Sequence, residues 1–186
     1  MEEDQDMTTA ELPDESTIAQ MVSNVSEVMF GVKFVRSEGL TRGESICGRM
    51  FRLHLQGVRD VNVIASSDRA GCQALASAFY SCPSHGLTDT MLDNAISELL
   101  KMVALQVQSA MGIDKAPGSP RRATLADLAT RSGEGWKDAV LLRSDGLGDL
   151  KLWVVDGRGL PTNAGVAQPH RGRLRCLLQR LLPHWP

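Results

Sequence analysis

Five side chains recur along one stretch of this chain at steps of four, three, four and three residues: Asn94, Glu98, Lys101, Leu105 and Gln108. On an α-helix such steps bring residues onto one face. The row would carry a carboxylate, an ammonium, two amides and one apolar side chain. Glu98 and Lys101 are an i,i+3 pair able to salt-bridge on a solvated face. The amides of Asn94 and Gln108 each both donate and accept. A short polar ridge of this kind suits docking on a partner.

The element that must position the ridge is a helix over 88–111. Ile96, Leu99, Leu100, Val103, Val107 and Ala110 recur at three- and four-residue steps and form its apolar stripe. Thr88 or Asp89 can cap its start, and Gly112 can end it in a left-handed turn.

The surrounding pattern sets the fold class. A helix is expected over 17–31, capped by Ser16 or Thr17, with Ile18, Met21, Val22, Val25, Val28 and Met29 on one face. Strands follow over 33–40, 45–55 and 61–65, separated by turns at 41–44 and 57–60. Asp68 then caps a helix that runs to Tyr80, and residues 81–84 break it before the ridge helix begins. Residues 116–122 read as a loop, and 123–135 admit a short helix. Strands over 136–143 and 147–156 form a hairpin, signalled by Asp145-Gly146. The short turns between the first three strands predict antiparallel pairing. The order of elements predicts an α+β domain, with helices packed on one face of a largely antiparallel sheet.

Composition divides the chain into three parts. At 186 residues it is long enough for one domain with a real core and short extra segments. Residues 1–16 carry Glu2, Glu3, Asp4, Asp6, Glu11, Asp14 and Glu15 with no Lys or Arg, and read as a disordered acidic arm. Residues 17–156 hold the domain. Residues 157–186 form a basic arm with Arg158, Arg171, Arg173, Arg175 and Arg180. Within it Leu174, Leu177, Leu178 and Leu181 share the face of a possible short amphipathic helix. Such a segment can lie on an anionic membrane surface or a partner helix, but a helix folded back on its own domain, or a mobile tail, is the favoured reading.

Several function classes find no support in the residues. The net charge of −2 gives no bulk attraction to nucleic acid. The phosphate-cradling glycine motifs, the GxSxG elbow and HExxH are all absent. Cys47, Cys72, Cys82 and Cys176 are widely separated, and His54, His85, His170 and His184 are scattered, so neither a metal nor a disulfide framework is expected. No secretory signal or membrane span is visible, which fits reduced thiols in a cytoplasmic protein.

Local wording adds a resemblance. Gly43-Glu44-Ser45-Ile46-Cys47-Gly48-Arg49-Met50 looks like a first hairpin, and Ser66-Ser67-Asp68 leading into Ala70, Ala74, Leu75 and Ala76 looks like a strand-to-helix step. Asp93-Asn94-Ala95-Ile96-Ser97-Glu98-Leu99-Leu100-Lys101-Met102-Val103 is similar to a helix signature in which an acidic residue precedes an asparagine by three positions. With the element order, these segments resemble the CheX/CheC/FliY chemotaxis phosphatases, nearest to the single-site CheX type. The resemblance implies a CheX-like fold over about 17–156, two-fold dimers joined through sheet edges, and a phosphorylated CheY-type response-regulator receiver domain as partner. It also implies that the receiver supplies Mg2+, that the glutamate pairs with a receiver lysine, and that the asparagine amide orients water onto the aspartyl phosphate. Positioning is most of such catalysis.

Glu98 matches the glutamate, but Lys101 stands where the asparagine should be. An ammonium has three donors and no acceptor, so it can meet phosphate as a point charge but cannot hold water by a carbonyl oxygen. The leading expectation is therefore a cytoplasmic signalling module, a catalytically degenerate CheX-type pseudophosphatase. It would act as adaptor or scaffold, binding a receiver through Asn94, Glu98, Lys101, Leu105 and Gln108 without cofactor of its own. The alternatives are an active aspartyl-phosphate phosphatase using another side chain, such as Gln108 or Asn94, and a structural interaction module whose partner is not a receiver.

Overall fold

Alternation decides which way each strand faces. In β2 (Arg49–Leu55), Phe51, Leu53 and Leu55 are buried beneath the helices, whereas Arg52 and His54 on the other face stay partly open. In β3 (Val61–Ser67) every residue is buried, as a short β-branched apolar run predicts for a central strand. The computed structural model describes residues 11–37, 48–124, 140–144 and 148–156.

Within these, α1 (Glu15–Phe30) leads into the two-residue β1 (Val35–Arg36), then β2, β3 and α2 (Arg69–Tyr80). The chain continues through α3 (Asp89–Ala110), the two-residue β4 (Arg121–Arg122), β5 (Val140–Ser144) and β6 (Gly148–Asp156). The sheet order is β1-β5-β6-β3-β2-β4, antiparallel throughout. The α+β arrangement with helices over one face is thus the observed fold. The main core lies between sheet and helices and includes Val22, Phe34, Leu53, Val63, Leu75, Leu99, Val103 and Leu152. On the opposite face Met50, Ile64 and Trp153 make a second, small apolar cluster.

Five expectations need correction. β1 pairs with β5 rather than with the next strand in sequence, so no hairpin joins β1 to β2. The Gly43–Cys47 part of the hairpin wording lies outside the described residues. β4, inside a stretch read as loop, adds a short edge opposite Phe51 and Arg52. Helix α1 is capped by Asp14, whose carboxylate accepts from Thr17 N at 2.7 Å, so its first turn takes in Glu15 and Ser16 of the expected acidic arm. Val28, placed on the α1 stripe, is 66% exposed. Ala110, placed on the α3 stripe, is exposed because the helix ends there.

A crowded junction joins β3, α2 and β6. Asp68 caps α2 by accepting from Gly71 N at 2.7 Å, and Ser67 Oγ donates to the Asp149 carbonyl at 2.8 Å. A Cβ on Gly71 would fall 2.2 Å from Ser67 Oγ, and Gly148 has φ +98° with Gly71 N 2.5 Å from where its Cβ would stand. No side chain fits at Gly148, and one at Gly71 would displace the Ser67 hydroxyl. Residues 125–135 of the segment read as admitting a short helix, residues 145–147 between the last two strands, most of the acidic arm and the whole basic arm lie outside the described residues.

Candidate functional site

Helix α3 starts where Thr88 Oγ1 accepts from Met91 N at 3.3 Å. It ends in a six-residue closure: Ile113 N donates to Gln108 O at 3.0 Å and Gly112 N to Ser109 O at 3.2 Å, with Gly112 at φ +61°. That is the Schellman pattern, which needs a left-handed residue at this point. Between the two ends, Leu92, Ala95, Ile96, Leu99, Leu100, Val103, Ala104 and Val107 are buried against the sheet and the other helices. Burying that stripe turns the opposite row outward.

The structure brings the row together but gives its members different tasks. Asn94 is exposed, and its Nδ2 donates to the Tyr80 hydroxyl at 3.3 Å. Lys101 Nζ donates to Glu98 Oε1 at 2.6 Å; their side chains are 34% and 26% exposed. Leu105 is 42% exposed. Gln108 turns toward the end of the helix, where its Nε2 donates to the Ile113 carbonyl at 2.8 Å and the Lys115 carbonyl at 3.3 Å. Its amide nitrogen thus serves the helix closure. The outward chemistry of the row is therefore Asn94, the Glu98–Lys101 pair and Leu105.

A second charged group secures the start of α3. Arg49 of β2 bonds both Asp89 and Asp93 on successive turns, and Arg122 of β4 lies 2.5 Å from Asp93. The Arg49 and Asp93 side chains are 20% and 24% exposed. Burial works against the Arg49 charge, but the Asp93 hydrogen bond and the charges of both aspartates outweigh it and raise its pKa. The two aspartates also sit near the positive end of the helix, where acids are favourable. Sequence reasoning named Asp89 only as a possible cap and Asp93 only within the helix signature, and did not bring Arg49, Arg122 or Tyr80 to this region.

The remaining candidates for chemistry are engaged structurally. His54 Nδ1 lies 3.3 Å from Asn62 Oδ1 across the β2–β3 pair, with its Nε2 3.8 Å from Asp60. Cys72, on the inner face of α2, is fully buried, and desolvation pushes its thiol up to about 11. Such a thiol is a poor nucleophile. Among the described residues, no three His, Cys, Asp or Glu side chains converge to hold a metal ion.

No family model matches the sequence, and no curated protein matches it. Solved structures do match the fold. A CheX chemotaxis protein from Desulfovibrio desulfuricans aligns with 75% of this chain and 95% of its own at TM-score 0.54 and 13% identity. A chain of the CheX–CheY–BeF3–Mg2+ complex from Borrelia burgdorferi aligns with 78% of this chain and 99% of its own at TM-score 0.59, again 13% identical. A CheX from Vibrio vulnificus aligns with 74% and 93% at TM-score 0.51 and 13% identity. The α+β fold of this chain is the fold of CheX-like chemotaxis proteins.

Proposed function

We propose that this chain is a signalling module that binds a CheY-type receiver domain through the outer row of α3, and that it is a pseudophosphatase acting as adaptor or scaffold. The observation that carries the reading is the Glu98–Lys101 pair. At the position where the resembled signature has an amide, the chain has an ammonium held 2.6 Å from the glutamate three residues before it. An ammonium offers no acceptor to a water nucleophile. Leu105 adds exposed apolar area one turn further along. The likeness to a chain of a CheX–CheY complex supports the choice of partner. The same reading takes Mg2+ as the receiver's own, places the protein in the cytoplasm, and allows a two-fold dimer through the short edge strands β1 or β4.

The test is the lifetime of a receiver's aspartyl phosphate with and without excess protein. No acceleration is expected. A tenfold shortening, about 1.4 kcal/mol of barrier, would show an active phosphatase and point to the exposed Asn94 amide as its source. Lys101→Asn is expected to create measurable hydrolysis, because it supplies the missing acceptor on an otherwise unchanged surface.

A further inference from the structure

We infer that the docking surface continues from α3 onto the end of α2, where the Tyr80 hydroxyl and the Asn94 amide act as one hydrogen-bonding unit toward the receiver domain. The inference rests on the receiver-binding reading above and adds a contact that the family signature does not contain.

Tyr80 is the last residue of α2 and the only tyrosine in the chain. Its ring stands edge-on to Phe79, with centroids 5.0 Å apart and planes at 86°, and Phe79 in turn lies 5.5 Å from Phe30 at the end of α1. The ring is therefore held by aromatic packing, and the hydroxyl is carried to the N-terminal end of the α3 row. Asn94 Nδ2 spends one N–H on that hydroxyl. An amide has a second N–H and an acceptor oxygen, and a phenol that accepts can still donate its own proton. The bond fixes both groups in place and leaves each with capacity to spare.

The other members of the row offer a partner something different. Glu98 and Lys101 answer each other's charge, the Gln108 amide nitrogen is spent on two carbonyls, and Leu105 has no polar group. Tyr80 with Asn94 is thus where an arriving surface finds an uncharged donor and acceptor already oriented, without first having to open an ion pair. A packed tyrosine also gives contact area at little cost in side-chain freedom.

The full chain labelled with 13C at the tyrosine Cζ carries one such signal, from Tyr80. It is titrated with a CheY-type receiver activated by BeF3 and Mg2+, and dissociation constants are measured for the wild type, Tyr80→Phe, Asn94→Ala, the double variant and Glu98→Ala. Tyr80→Phe keeps the ring against Phe79, so the thermal melt is expected to stay unchanged while binding weakens about fivefold, the worth of one hydrogen bond. Asn94→Ala, at an exposed position, reports independently of the aromatic packing and is expected to weaken binding similarly. The double variant is expected to bind no more weakly than the worse single one, as for groups acting as a unit. The labelled signal is expected to shift on titration. If Glu98→Ala weakens binding while Tyr80→Phe and Asn94→Ala bind like wild type, the surface stops within α3 and the inference falls, with the receiver reading intact. If the wild type does not bind the activated receiver, both fall together.

Discussion

The two charged groups on α3 are built differently. At the start of the helix, Arg49, Asp89, Asp93 and Arg122 come from β2, α3 and β4, so their meeting depends on the sheet being assembled. One turn beyond Asp93, Glu98 and Lys101 are three residues apart on a single helix, and their pairing needs only the helix. The first group ties the ridge to the domain. The second is local and worth about 0.2–0.5 kcal/mol on an isolated helix. A partner with a competing charge can open it cheaply. One helix thus carries an anchor that a partner should leave alone and a pair that a partner can exchange.

Three substitutions separate these roles, beginning beneath both groups. Leu99 is fully buried in the core between Glu98 and Lys101. Leu99→Ala is expected to cost about 2–5 kcal/mol in urea unfolding. A loss below about 1 kcal/mol would mean that the charged anchor, not the apolar stripe, holds the helix down. Arg49→Ala comes next. It leaves Asp93 with Arg122 and strips Asp89 of its partner, and a loss of about 1.5–3 kcal/mol is expected for hydrogen bonds to charged groups. High salt should shrink that difference, and an unchanged melting temperature would erase the distinction between anchor and local pair. Glu98→Ala is expected to have the smallest effect on folding, within about 0.5 kcal/mol, while weakening receiver binding. A melting temperature several degrees lower with binding intact would assign Glu98 to the anchor instead.

Much of α3 was legible because its information is local: an apolar stripe of helical period, a capping Thr88 and a terminal Gly112. The row facing outward follows from the same periodicity. The glutamine at its end did not behave as its position suggested, because closing the helix at Gly112 brings the Ile113 and Lys115 carbonyls within reach of Gln108. The neighbours of the row were harder to foresee. Tyr80 reaches Asn94 only because α2 and α3 pack side by side, and Arg122 reaches Asp93 only because β4 pairs with β2. Two-residue strands such as β1 and β4 carry no alternation to read, and the choice of β5 as partner for β1 depends on contacts across most of the chain. A tail-to-core boundary set by composition likewise slipped by two residues, because the Asp14 cap draws Glu15 and Ser16 into α1.

The strand order also constrains when this surface comes into being. Val63 sits opposite Val154 in the sheet, and Val35 opposite Arg143. During synthesis β1 therefore emerges long before its partner, and β3 waits for the last described strand to complete its second edge. Helix α3 is translated well before that moment, with Leu99, Leu100 and Val103 lacking part of the core that later shields them. Pairings this distant in sequence slow folding. The ridge becomes a native surface only after β6 has been made, so a ribosome-bound fragment ending before residue 148 would present sticky apolar helices where the folded domain presents the polar row.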